Sequence, residues 1–178
     1  MQKVESTFLQ PGYQTVLREL TPRDKIVLSH NDCQENNILS SLEDSTRLTL
    51  IDYEYGNWNP QGYDLACYLN EMVCDNAHPH GCGVKHYMRN FPTNAEIEQI
   101  TACYTALEAQ RQNRDLVWSM ESAECREAVF NTQKCMILNN FYWTVWGIMM
   151  LLDSEETDPE AFNWELCDGR CNMYLHCV

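Results

Sequence analysis

His30-Asn31-Asp32-Cys33-Gln34-Glu35-Asn36-Asn37-Ile38-Leu39 decides how this chain is read. The apolar run Ile26-Val27-Leu28 leads into it, and a second run, Leu48-Thr49-Leu50-Ile51, follows and ends on Asp52-Tyr53-Glu54. Runs of this length, bounded by polar turn residues such as Glu43-Asp44-Ser45-Thr46, predict short strands near 25–29, 37–40 and 47–52. The spacing H-x-D-x-x-x-x-N, then strand-Asp, places a carboxylate, an amide and a second carboxylate at the ends of neighbouring strands.

That set suits phosphoryl transfer. The transition state is loose, so the protein chiefly positions the acceptor hydroxyl and stabilises charge. Asp32 is the candidate base that orients and deprotonates the hydroxyl. Asn37 and Asp52 offer hard oxygens to Mg²⁺, which needs few protein ligands because water and phosphate supply the rest. Gln34 is placed near the metal or the transferred phosphate. His30 joins the catalytic set as the residue that braces the loop.

Outward from the motif the chain reads as mainly helical. A helix is expected over 62–74, with Leu65, Leu69, Met72 and Val73 on one stripe. Thr93-Asn94-Ala95-Glu96 is a capping box for a helix to about 113. A long helix is expected from 119 to 153, with 141–152 as its buried core stretch, and a last helix over 158–176. A short helix is expected over 4–20, broken near Pro11-Gly12. Asn57-Trp58-Asn59-Pro60 reads as an irregular link and 75–92 as loop. The 12-residue apolar run to Leu152 is too short to span a bilayer.

The 178 residues carry a net charge of −14, which argues against a nucleic-acid partner and suits a cationic one. Met1-Gln2-Lys3-Val4-Glu5 lacks the apolar core of a signal peptide. The ten cysteines therefore read as reduced thiols in a cytoplasmic protein. Cys74, His78, His80 and Cys82 are zinc-ligand types, but Pro79 and Gly81 between them mark a surface loop, and metal binding there stays open. Trp143 and Trp146 share a helix face, and Trp164 follows in the last helix. Such rings serve equally as core or as faces for a quaternary ammonium.

The decapeptide, with Ile51-Asp52-Tyr53-Glu54-Tyr55, Gly62-Tyr63-Asp64 and Tyr68-Leu69-Asn70-Glu71, resembles the choline/ethanolamine kinase family. Cys33-Gln34-Glu35 resembles its choline kinase branch. Phe141-Tyr142-Trp143-Thr144-Val145-Trp146 extends the resemblance more loosely. The resemblance implies an α+β, mainly α chain with a protein-kinase-like fold: the C-terminal lobe, with a small β-hairpin at the catalytic loop. It implies Mg²⁺ and ATP, with Asp32 as base and Asn37 and Asp52 near Mg-ATP. Asp64 would be a buried brace. Glu71, Trp143, Trp146 and Trp164 would surround the cationic head of choline or ethanolamine. Two departures stand out: Asn36 replaces a usual glycine, and Met72 replaces a usual tryptophan that walls the pocket.

Residues 1–178 thus read as one domain, the catalytic-loop and substrate lobe. The family's nucleotide lobe is not expected in the roughly 24 residues ahead of the first strand. The implied activity is ATP-dependent phosphorylation of choline to phosphocholine, the first step of phospholipid head-group synthesis, with ethanolamine as a second acceptor and homodimerisation left open. The alternatives are a non-catalytic lobe that acts by association with a partner, and another small-molecule phosphotransferase.

Overall fold

The structure, a computed structural model, describes residues 13–22, 25–79, 83–153 and 164–177. Five helices form the body: α1 (Tyr13–Leu20), α2 (Tyr63–Glu71), α3 (Asn94–Arg111), α4 (Ala123–Asp153) and α5 (Trp164–Cys177). Three two-stranded antiparallel ribbons carry the loops: β1 (Ile26–Ser29) with β4 (Asn57–Pro60), β2 (Ile38–Ser40) with β3 (Leu48–Leu50), and β5 (Cys74–Asp75) with β6 (Lys85–His86).

The strands form where the apolar runs predicted them, with one partner hidden. The expected irregular link Asn57-Trp58-Asn59-Pro60 is a strand, pairing Leu28 with Trp58 and Ile26 with Pro60. Its polar residues mask it in sequence. Pro60, which has no N–H, is tolerated at the end of an edge strand. The β5–β6 ribbon likewise interrupts the loop expected over 75–92, with Cys74 opposite His86. Residues 4–12 of the expected first helix lie outside the described residues, as do 158–163 of the expected last one.

The capping box at α3 is present: Thr93 Oγ1 accepts from Glu96 N at 3.3 Å and Glu96 Oε2 accepts from Thr93 N at 2.7 Å. It satisfies two of the helix's orphan N–H donors. The inward face of α2 keeps Leu69 and Val73 of the predicted stripe and departs from it at Met72. Tyr63, Ala66, Cys67, Leu69 and Asn70 are buried, whereas Met72 closes the helix at a half-open position. The core joins Tyr63, Ala66 and Leu69 of α2 to Ile97 of α3 and to Val129, Cys135 and Met136 of α4.

Helix α4 is the long axis, and its buried part begins well before the expected 141–152 stretch and reaches into it as far as Gly147. Val129, Cys135, Met136, Ile137 and Trp143 are buried, while Tyr142, Met149 and Met150 are exposed. A 31-residue helix outruns the body that encloses its middle. Helix α5 returns along it at close range. Cys167 Sγ donates to Thr144 O at 3.7 Å, and a Cβ added at Gly147 would sit 2.7 Å from that sulfur. Among the described residues no helix is long and apolar enough to cross a membrane.

The β5–β6 ribbon packs on α5 through His86. A Cβ at Gly169 would lie 2.0 Å from His86 Nδ1, so only glycine admits the ring. Burial pushes the imidazole down to about 4; the Arg170 charge adds to this, while Glu71 and Asp168 oppose it. A base depressed in the folded state contributes stability that is full above its unfolded pKa of about 6.5 and is lost as pH falls toward about 4. Thermal unfolding of the chain is therefore expected to drop by several °C between pH 6.5 and 4. His86→Asn should flatten that limb relative to wild type; identical pH profiles for the two proteins would refute it.

Candidate active site

Helix α2 sets the His30–Asn37 loop in place. Asp64 stands in its first turn, where a carboxylate suits the helix dipole. Its Oδ2 accepts His30 N at 2.8 Å and its Oδ1 accepts Asn31 N at 2.9 Å. The loop bends at Asn31, whose φ of 70° lies in the left-handed region. Asn tolerates that region better than most side chains. Here the Asn31 side chain secures it, donating through Nδ2 to Tyr55 O and accepting from Asn59 Nδ2, both at 2.7 Å. Cys33 N donates to Cys67 Sγ at 3.3 Å, a further tie to α2. Burial pushes the Cys33 thiol up to about 12, so it stays protonated.

Asp32 and Asn37 come together at the loop's mouth. Asn37 Nδ2 donates to Asp32 Oδ2 at 2.8 Å and to Asp32 O at 3.0 Å. Burial, then the charge of Glu71, lifts the Asp32 carboxyl above its ordinary range; the Asn37 hydrogen bond, His30 and Arg170 oppose the lift. His30 is buried, with both ring nitrogens committed: Nε2 lies 2.7 Å from Ile51 O and Nδ1 accepts Asp32 N at 3.3 Å. Those partners assign the proton to Nε2. His30 thus holds the loop instead of reaching a ligand. Gln34 Oε1 caps the short 3-10 turn Glu35–Asn37 by accepting Asn36 N at 3.2 Å.

The next rung carries Asp52. Ile51 N donates to Asn37 O at 3.0 Å, so Asn37 and Asp52 flank the same end of the β2–β3 ribbon. Asp52 has φ 64°, is exposed, and makes no hydrogen bond with the described residues. With Asn37 Nδ2 engaged by Asp32, the amide oxygen and the Asp52 carboxylate form a hard-oxygen pair that fits Mg²⁺. Asn36, at the position of the family's usual glycine, needs no left-handed backbone. Asn36 lies in the 3-10 turn, and the left-handed positions nearby are Asn31 and Asp52.

The far side of the site is a buried ion pair beside an aromatic cluster. Arg170 of α5 donates through Nη2 to Glu71 Oε1, and Asn76 Nδ2 donates to Glu71 Oε2 at 2.9 Å. Both residues of the pair are over nine-tenths buried. Burial opposes ionisation of Glu71, but the Arg170 charge and the two hydrogen bonds outweigh it and hold the carboxyl below its ordinary range. Asn76 also donates to Glu35 Oε2 at 3.0 Å, tying the pair to the loop. The Arg170 guanidinium lies 6.0 Å from the Trp143 ring centre. Trp143 meets Trp146, Tyr55 and Tyr142 edge-on, each at 5.4 Å except Tyr55–Trp146 at 6.5 Å.

The structure therefore brings Asp32 and Asn37 into contact, with Asp52 open beside the neighbouring rung, and brings Trp143 and Trp146 together next to the Arg170–Glu71 pair. Trp164 opens α5, but its side chain lies outside the described residues, as do His80 and Cys82 of the expected loop cluster. Met72 does not wall the aromatic cluster; it lines a shallow surface cavity with Tyr68, Ile100 and Cys103. Arg170 and Tyr55 are site residues that sequence reading missed. Each left a signal: Arg170 is the sole Lys or Arg after Lys134, in an acidic stretch, and Tyr55 directly follows Asp52-Tyr53-Glu54.

The architecture has solved counterparts. A choline kinase from Cryptosporidium parvum superposes with a TM-score of 0.69 at 21% identity, covering 94% of this chain and 42% of that one. A Plasmodium vivax ethanolamine kinase superposes with a TM-score of 0.60 at 17% identity, covering 93% and 36%. The fold is protein-kinase-like and mainly helical. Residues 11–166 match the family model for choline/ethanolamine kinase, and the chain belongs to that family. Among curated relatives, Caenorhabditis elegans choline kinase B2 is 32% identical over 122 residues, and a human choline/ethanolamine kinase is 28% identical over 136. Those matches take in 67% and 75% of this chain but 32% and 33% of the relatives, so the chain spans about a third of their length.

Asp64→Asn keeps size but replaces one acceptor oxygen with an NH₂ that faces a backbone N–H. The expected cost is about 1–3 kcal/mol of stability. Faster hydrogen exchange at the His30 and Asn31 amides should accompany it; unchanged exchange at both would show that the brace carries no energy.

Proposed function

We propose that this chain forms the catalytic-loop and acceptor lobe of an ATP-dependent kinase that phosphorylates choline, with ethanolamine as a second acceptor. The observation that carries the reading is the Asp32–Asn37 pair at 2.8 Å, set between an open carboxylate at Asp52 and a cluster of four aromatic rings. The electron-rich faces of those rings suit a cationic head without hydrogen-bond donors. Asn37 holds one oxygen of Asp32 and leaves the other to receive the hydroxyl proton. Burial of Asp32 raises its affinity for that proton.

In the proposed reaction the acceptor oxygen bonds to the γ-phosphorus of ATP as the bond to the leaving β-phosphate oxygen breaks. The acceptor's proton passes to Asp32, and the products are phosphocholine and ADP. Asn37 and Asp52 would hold Mg²⁺, which when bound neutralises phosphate charge. Asp32→Asn removes the proton acceptor and is expected to lower phosphocholine formation by about 10²–10⁴-fold in the native protein that carries these residues. Choline-dependent ADP release that survives this substitution would overturn the assignment of Asp32.

A second reading, a lobe that works by association, has its own observation. The β1–β4 ribbon turns large apolar side chains outward: Leu28 is 67% and Trp58 68% exposed, and they are cross-strand partners. An apolar face of this kind is a docking candidate. Sedimentation analysis of the chain separates the two. Association without choline-dependent transfer favours this reading, and a monomer with transfer removes it.

A further inference from the structure

Glu71 is the acid expected to meet the substrate's cation, yet in the structure it already has one. Arg170 Nη2 holds Oε1, and Asn76 Nδ2 holds Oε2 at 2.9 Å. Arg170 also reaches the aromatic side, 6.0 Å from the Trp143 ring. Among the described residues, the polar atoms of Arg170 and Trp143 left without a partner are Arg170 Nε and Nη1 and Trp143 Nε1, and all three are donors. A primary ammonium brought to this end of the site therefore meets N–H groups, with Glu71 already engaged.

We infer that Arg170 is a specificity-determining residue: by engaging Glu71 it makes the acceptor site select a quaternary ammonium alcohol over a primary one. The inference rests on the acceptor-site reading above. A quaternary head has no N–H donors, so aromatic faces satisfy it fully. A primary ammonium brings three donors, and burying them without acceptors costs affinity. Arg170 acts on the substrate through Glu71 and Trp143, not through the reacting atoms.

The test is calorimetric titration of the 178-residue chain with choline and with ethanolamine, circular dichroism reporting the fold of every variant. Wild type should bind choline tighter by about tenfold or more, the scale of one buried donor left unpaired. Arg170→Gln frees the Glu71 carboxylate and should strengthen ethanolamine binding enough to bring the ratio near one. The double variant Glu71→Gln/Arg170→Gln removes both charges and should return the ratio to that of wild type, a recovery that a merely structural role for Arg170 would not give. Equal affinities in wild type, or an unchanged ratio in a folded Arg170→Gln protein, overturn the inference and leave the acceptor-site reading standing. Binding of neither alcohol overturns both. Should Arg170→Gln not fold, the double variant decides: a wild-type ratio supports the inference and a collapsed ratio overturns it.

Discussion

The carboxylate of Asp64 closes the His30–Asn37 loop onto the helical body, and the rest of the site hangs from that closure. Two backbone N–H groups converge on one side chain in the first turn of α2. A loop that bends through a left-handed asparagine must be held against chain entropy, and these two bonds fix its entry. Because α2 is packed by Ala66 and Leu69 against α4, the rigidity of the core passes directly to the loop. His30 then clamps the strand that leads to Asp52 by reaching Ile51 O. Asp32 and Asn37 therefore hold one geometry through their shared hydrogen bonds, while the Asp52 backbone is fixed by the rung beside it and its side chain stays open.

The Arg170–Glu71 pair does for the far side what Asp64 does for the near side. A buried ion pair is weak evidence for stability, since desolvating both charges offsets most of their attraction. Its worth is positional. Arg170 arrives from α5, Glu71 from the end of α2, and Asn76 from the turn after β5, so the pair fixes three elements at one point. Through Asn76 and Glu35 the same network touches the loop that carries Asp32. The last helix thereby belongs to the site, and its acid partner is committed to the protein before any ligand arrives.

The aromatic cluster has the same double character. Trp143 is buried, as a core residue would be, while Trp146 is half-buried and Tyr142 open. Core and pocket readings of the tryptophans are compatible, because the ring cluster runs from the buried face of α4 out to its open one. Tyr55 joins them from the segment after Asp52, and its backbone oxygen also anchors Asn31. One residue thus links the rings to the loop.

The chain alone determined its strongest local features. Apolar runs next to turn residues marked β1, β2 and β3; the Thr93–Glu96 capping box marked the start of α3; and the H-x-D-x-x-x-x-N spacing put Asp32 and Asn37 within one loop. These are short-range properties that neighbouring residues dictate. Tertiary structure decided what depends on distant partners. Polar Asn57–Pro60 became a strand only because β1 lay beside it, and Met72 turned toward α3 because α2 buried another face. Arg170 met Glu71, 99 residues earlier, because α5 packs back along α4. No periodicity encodes that meeting, since a buried charge finds its counter-charge through the packing of whole helices and not through spacing along the chain.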